Sequence, residues 1–207
     1  MKLRIKIIGV LAAATAAGAL VASIVTTTAV AGGNGLTFTM VRSAAAEGAN
    51  CLRDARATVR VYPQRFNEVM TIRAYGLPPR TNFDLFILQV PNAPFGVSWY
   101  QSDLRSDSRG RATVRVIGRF NIETFAVAPG STHAPDTHPT IDATSNPAFA
   151  PIHTYHVGFW FNTPAEATAA GCPGATTPFN GDHTAGVQAM STRNFPDLAG
   201  PLSQLGS

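Results

Sequence analysis

The chain has 207 residues, of which 45% are hydrophobic and only 14% are charged. Its formal net charge is +4 at pH 7, but three of its 16 basic residues, including both lysines, lie among the first six positions. The rest of the chain carries 13 arginines against 12 acidic residues, and this balance excludes a global attraction to nucleic acid or anionic lipid.

The N-terminus has the pattern of a secretory signal peptide over residues 1–31. Lys2, Arg4 and Lys6 precede an apolar run, and Ala29-Val30-Ala31 supplies the small residues that a signal peptidase requires. The run over 7–25 is nearly long enough to span a bilayer, so an uncleaved anchor is the alternative. Its alanines and glycines contribute little transfer free energy, which favours cleavage. We expect an extracellular or cell-surface protein without stable membrane insertion after cleavage.

The 176 residues after the signal peptide suffice for one domain with a substantial core. We predict this domain over residues 32–195, followed by a C-terminal tail over 196–207. Cys51 and Cys172 are the only cysteines, and export to an oxidising compartment predicts that they form one disulfide. Free or intermolecular thiols are the alternative.

Apolar residues recur with period two rather than 3.6, which indicates β-strands. The segment 83–90 is apolar on both faces, as expected of a central strand. Short strands separated by turn signals such as Asp107-Ser108-Arg109-Gly110 predict a mostly β, antiparallel β-sandwich of about eight or nine strands. The predicted strands are 36–42, 56–62, 68–75, 83–90, 97–101, 111–118, 122–128, 154–161 and 185–192.

One short helix is predicted just before the second cysteine. Thr163 and Glu166 form a Thr-x-x-Glu capping box, Pro164 suits the first helical position, and Gly171 can end the helix in the left-handed conformation. The disulfide would therefore attach the end of this helix to the N-terminal edge of the sheet.

An internal repeat occurs in two of the predicted strands. Residues 56–61 and 111–116 both have the sequence Arg-Ala-Thr-Val-Arg-Val, and Arg-Phe-Asn follows each copy, at 65–67 and 119–121. The repeat suggests two similar strand-turn-strand units. Chance identity in a composition rich in alanine, valine and arginine is the alternative.

Residues 76–85, Gly-Leu-Pro-Pro-Arg-Thr-Asn-Phe-Asp-Leu, resemble the corner that precedes a strand in fibronectin type III and immunoglobulin-like domains. Phe83 stands where that corner usually has a tyrosine, whose hydroxyl bonds back to the chain. The resemblance implies an immunoglobulin-like sandwich and implies no ligand.

Catalytic motifs are lacking in the sequence. Gly96-Val97-Ser98-Trp99-Tyr100 is the nearest match to a nucleophile elbow, but it lacks the second glycine. We find no phosphate-binding loop, no His-Glu-x-x-His and no carboxylate pair in a glycosidase setting. The protein is therefore expected to be noncatalytic.

A metal site is the alternative function. His133, His138, His153 and His156 lie in one histidine-rich, proline-rich segment, and imidazole ligands suit Zn²⁺ or Cu²⁺. His153 and His156 point to opposite faces if both lie in a strand, so a shared ion requires the strand to begin after His153. Solvated loop histidines are the default, and no other cofactor is indicated.

Two surfaces are candidates for ligand binding. Alternation places Arg56, Arg60, Arg111 and Arg115 on the solvent side of two strands, where guanidinium groups can bind phosphate or carboxylate. Because like charges on directly opposite residues are destabilising, we expect the two strands to be separated or acids to interleave. An ordinary solvated face is the alternative.

The second candidate surface is aromatic. Trp99 and Trp160, each next to another aromatic residue, could stack on sugars if they are exposed, and core packing is the alternative. The sequence thus favours a secreted, noncatalytic binding or cell-envelope interaction module. Its expected partner is a cell-wall polymer, a polysaccharide or a surface protein.

Overall fold

A computed structural model describes residues 30–32, 35–120, 123–124, 151–177 and 184–205. No helix in these ranges is both long and apolar enough to cross a membrane. The strands are β1 (Val30–Gly32), β2 (Gly35–Arg42), β3 (Arg56–Pro63), β4 (Glu68–Tyr75), β5 (Asn82–Leu88), β6 (Ser98–Arg105), β7 (Ala112–Gly118), β8 (Glu123–Thr124), β9 (Pro151–Ile152), β10 (His156–Phe161) and β11 (Gln188–Ser191), with helices α1 (Ala44–Gly48) and α2 (Pro164–Ala169) and a 3-10 helix (Pro201–Gln204).

Eight strands form one continuous antiparallel sheet in the order β6-β5-β10-β11-β2-β3-β4-β7, and β1 pairs with β2. The link between β11 and β2 is short, with only Met190 opposite Arg42 and Ser191 opposite Val41. The end strands β6 and β7 are joined by a tight hairpin and contact each other, so the sheet is strongly curved. The predicted mostly β, antiparallel architecture is confirmed.

The main core lies on the inner face of this curved sheet. Alternate residues of β2, β3 and β4, such as Phe38, Val59 and Ile72, are fully or almost fully buried. The β5 segment is buried on both faces, as its two-sided apolar pattern predicts. On its outer face, Phe86 and Leu88 pack with the buried Trp160 in a second, smaller cluster.

The predicted helix is confirmed as α2. The hydroxyl oxygen of Thr163 accepts a hydrogen bond from the backbone N–H of Glu166 at 3.2 Å, and Gly171 has φ +73°. A second helix, α1, was not predicted, because its five residues are too few to show a helical period. The side chain of Ser43 caps it by accepting a hydrogen bond from the N–H of Ala46 at 3.0 Å.

The C-terminal segment belongs to the domain as far as residue 205. Leu202 and Leu205 are buried in the main core, and the N–H of Leu202 donates to the carbonyl of Tyr155 at 3.1 Å. The domain therefore extends beyond the boundary expected at residue 195. Two leucines in a polar, proline-containing segment are too few to reveal this packing in the sequence.

The predicted disulfide between Cys51 and Cys172 is present, with a Cα–Cα distance of 5.5 Å. It joins the chain just after α1 to the chain just after α2, and both cysteines are buried. The crosslink therefore connects two segments that are 121 positions apart in the sequence.

We expect the double variant C51S/C172S to be less stable than the native protein by about 4 kcal/mol, because a crosslink across so long a segment restricts the unfolded chain. The free energy of unfolding, measured by urea denaturation, checks this. Native protein in reducing agent should match the variant. Equal stability of the oxidised and reduced native protein would contradict the prediction.

Candidate functional site

The two copies of the repeated hexapeptide lie on opposite sides of the same strand. β4 pairs antiparallel with β3 on one side and with β7 on the other. Arg60 of the first copy and Arg115 of the second are both directly opposite Thr71. The sequence expectation that the two strands are separated is thus met by an intervening strand rather than by acids.

The outward side chains of these three strands form an alternating pattern. One row reads Arg60, Thr71, Arg115 and the next reads Thr58, Arg73, Thr113, so that no arginine is directly opposite another. Arg111, just before β7, lines a cleft with Arg73 at the end of this pattern. We call the outward surface formed by five exposed arginines the arginine face; its arginines are Arg56, Arg60, Arg73, Arg111 and Arg115.

The central arginines lack acidic partners. Among the described residues, Arg60, Arg73 and Arg115 form no ion pair and no side-chain hydrogen bond. The described ion pairs lie elsewhere, and one of them joins Arg119 to the buried Glu68 at 3.3 Å. The guanidinium groups of these three arginines are therefore available to an anion from solution, whereas that of Arg56 donates hydrogen bonds to the carbonyls of Arg53 and Ala55.

One carboxylate borders the arginine face. Asp107 lines the same cleft as Arg111, but its Oδ1 accepts hydrogen bonds from the backbone N–H groups of Arg109 at 2.7 Å and Arg111 at 2.9 Å. Both bonds lower the pKa of Asp107, and the bond from Arg111 has the largest effect. The carboxylate thus organises the hairpin turn and leaves the interior of the face without negative charge.

Two half-exposed tyrosines flank the arginine face along β3 and β4. Tyr62 and Tyr75 are 47% and 49% exposed, and they line a cleft of about 330 Å³ together with Arg60 and Arg73. The remaining lining residues are Thr58 and Thr71. The cleft therefore combines two aromatic rings, two guanidinium groups and two hydroxyls.

Glycine at position 35 gives the ring of Tyr62 its place against β2. A Cβ atom at Gly35 would lie 2.9 Å from two ring carbons of Tyr62, which is closer than real side chains approach. The ring therefore lies against the β2 backbone and keeps its other face toward solvent. A glycine in a strand commonly marks such a close approach.

The tryptophans proposed from the sequence do not form one surface. Trp160 is fully buried, whereas Trp99 on β6 is 48% exposed. Beside it, Tyr100 donates a hydrogen bond to Asp103 at 2.7 Å, and burial together with this bond raises the pKa of Tyr100 to about 12. The two tryptophans therefore cannot stack on one sugar chain.

The histidines of the proposed metal site are only partly described. His133 and His138 lie outside the described residues. The ring of His156 is buried, with Nδ1 2.9 Å from the hydroxyl of Thr192 and Nε2 3.1 Å from the carbonyl of Asp197. His153 stacks on Tyr155 instead. In the part of the chain that the structure describes, no three His, Cys, Asp or Glu side chains are grouped to hold a metal ion.

Arg73, Tyr62 and Tyr75 belong to the candidate site but are absent from the sequence-based proposal. The alternation that places Arg56 and Arg60 toward solvent applies equally to Tyr62, so this residue could have been found. Arg73 and Tyr75 could be added only once β4 was known to lie between the two copies of the repeat.

A comparison with protein-family models gave no match, and a comparison with curated proteins gave none either. Function must therefore be argued from the surface itself.

The buried His156 predicts a loss of stability in mild acid. Burial lowers its pKa below the usual value for histidine. The unfolded chain takes up a proton below about pH 6.5 while the folded protein does not. The contribution of His156 to stability is thus complete above that pH and declines as the pH falls toward the lowered pKa, by up to about 1.4 kcal/mol per pH unit.

Urea denaturation between about pH 8 and pH 5 measures this decline. The control variant H153Q should retain it, because His153 is not buried in the core. Proton NMR of the native protein follows the ring of His156 directly. If that ring titrates at the usual histidine pKa, the prediction is wrong.

Proposed function

We propose that the protein is an exported, noncatalytic binding module whose arginine face holds an anionic polymer of the cell envelope. One observation carries the proposal: five exposed arginines share one sheet face whose interior contains no described carboxylate. Guanidinium groups bind phosphate and carboxylate through paired, charge-assisted hydrogen bonds. A row of such groups suits a ligand with several negative charges.

The repulsion between the arginines of the face is small, and this supports the proposed function. Neighbouring arginines lie diagonally across adjacent strands. The spacing of strands and of residues in a sheet separates their Cα atoms by roughly 8 Å. Two charges at that distance repel by only about 0.5 kcal/mol in water. The fold therefore tolerates the empty face, and binding of an anion would relieve the repulsion. Solvated sheet surfaces usually mix charges of both signs, whereas this one does not.

Export is the second part of the proposal. A basic N-terminus, an apolar run and small residues before position 32 support it, and a buried disulfide is compatible with an oxidising compartment. The fold also supports an interaction role, because the outer side chains of the arginine face on β3, β4 and β7 are exposed. We include in the proposal that this sheet is a variant of the immunoglobulin-like sandwich, since residues 76–85 resemble the corner of such domains.

Replacing arginines of the face should weaken polyanion binding. We expect R60Q and R73Q each to bind fluorescein-labelled polygalacturonate roughly fivefold more weakly, a loss of about 1 kcal/mol. Both arginines line the same cleft, and neither forms an ion pair with a described residue. Fluorescence anisotropy measures both affinities.

R105Q is the control, because Arg105 is an exposed strand arginine on β6 that lines neither cleft of the arginine face. It should bind like the native protein. Binding should also weaken between about 50 mM and 300 mM NaCl, as screening requires. A native protein that binds no polyanion, or an R105Q variant as weak as R60Q, would overturn the proposal.

A further inference from the structure

We propose that the ligand of the arginine face is an acidic polysaccharide, and that its chain lies along the cleft between Tyr62 and Tyr75. This inference rests on the proposed function, since it concerns the same surface. It goes further by assigning sugar rings to the two tyrosines and the acidic groups of the polymer to Arg60 and Arg73.

The first step is the composition of the cleft. Arg60 and Arg73 lie in its middle, and Tyr62 and Tyr75 mark its ends on β3 and β4. A pyranose ring has an apolar face that packs on an aromatic ring and hydroxyls that hydrogen-bond to polar side chains. An inorganic polyphosphate has no apolar face and would leave both tyrosines unused.

The second step is the spacing of the rings. Tyr62 and the residue opposite Tyr75, Arg56, are six positions apart on β3, which corresponds to roughly 20 Å. Proteins that bind single-stranded nucleic acid stack successive bases on aromatic residues. Here two rows of threonine and arginine separate the rings, so intervening bases would meet no aromatic side chain. Intervening sugars would meet hydroxyl and guanidinium groups instead.

The third step is preorganisation. The ring of Tyr62 lies against Gly35, and no side chain larger than hydrogen fits at that position without moving the ring. Thr58 and Thr71, each partly buried between arginines, present hydroxyls from the floor of the cleft. A stacking surface that is fixed before binding loses less conformational entropy on association.

The test compares three ligands of similar charge: an oligogalacturonide series, inorganic polyphosphate and oligodeoxythymidylate. Isothermal titration calorimetry should give the highest affinity for the oligogalacturonides. Their affinity should rise with chain length until the chain reaches both tyrosines and then level off. Equal or tighter binding of polyphosphate or oligodeoxythymidylate would overturn the inference.

The variants Y62A and Y75A should each bind oligogalacturonide roughly tenfold more weakly, while Y62F and Y75F, which keep the ring, should bind like the native protein. W99A is the matched control, because Trp99 is an equally exposed aromatic residue outside the cleft. G35A should mimic Y62A partially by displacing the ring. Circular dichroism and urea denaturation confirm that each variant is folded.

The outcomes separate this inference from the proposed function. If R60Q and R73Q lose affinity but Y62A and Y75A bind oligogalacturonide normally, anion binding stands and the assignment to an acidic polysaccharide is wrong. If arginine and tyrosine variants all bind like the native protein, both proposals are wrong. Loss of affinity in both sets, with normal binding by W99A and R105Q, supports both.

Discussion

Pairing of β4 with two identical hexapeptides is the constraint on which the candidate site depends. Side chains of a strand alternate between faces, so a shift of one residue would move every apolar residue of that strand to solvent. Burial of the apolar residues therefore fixes the register on both sides of β4. The same register determines which residues lie opposite each other on the outward face. The buried rows are Ala57–Ala74–Ala112, Val59–Ile72–Val114 and Val61–Met70–Val116, although Val114 is only partly buried.

The arginines owe their arrangement to this apolar register rather than to contacts with each other. Arg60 and Arg115 both lie opposite Thr71 of β4. The sequence repeat therefore places two equivalent arginines on the two sides of one strand. The threonines opposite them keep like charges diagonal, which limits the repulsion within an unoccupied face. A surface of this kind is formed by folding alone and does not need a ligand to be assembled.

The sequence predicts β3, β4 and α2 well because their signals are local, whereas the predicted strand 97–101 ends four residues before β6 does, and the predicted strand 122–128 lies outside the described residues except at 123–124. Alternation locates β3 and β4 within a residue, and the capping box at Thr163 locates α2. Strand order is not local, and for that reason the position of β4 between the repeat copies could not be derived. The candidate site was accordingly only partly predictable: Arg56, Arg60, Arg111 and Arg115 follow from alternation, whereas adding Arg73 requires the topology.

Burial of the aromatic residues shows the same limit. Trp160 and Trp99 each lie next to other aromatic residues in the sequence, which gives no sign of which one is buried. Trp160 lies under Phe95, whereas Trp99 is half exposed on an end strand. Loop packing on the outer face of β5 and β10 decides this difference, and periodicity within a strand contains no information about which loop covers it.

The two halves of the sheet are consequently unequal. On β5 and β10 the outer face is covered by the second apolar cluster, so these strands are buried on both sides and hold the curved sheet together. On β3, β4 and β7 the outer side chains other than Val69 and Ile117 are polar or charged, and those of the arginine face are exposed. A ligand on this second half would contact side chains that contribute little to the core. Substitutions there can change binding without a comparable loss of stability, whereas substitutions around Trp160 cannot. The proposed binding surface therefore lies on the half of the sheet whose register is fixed by burial of the inner face.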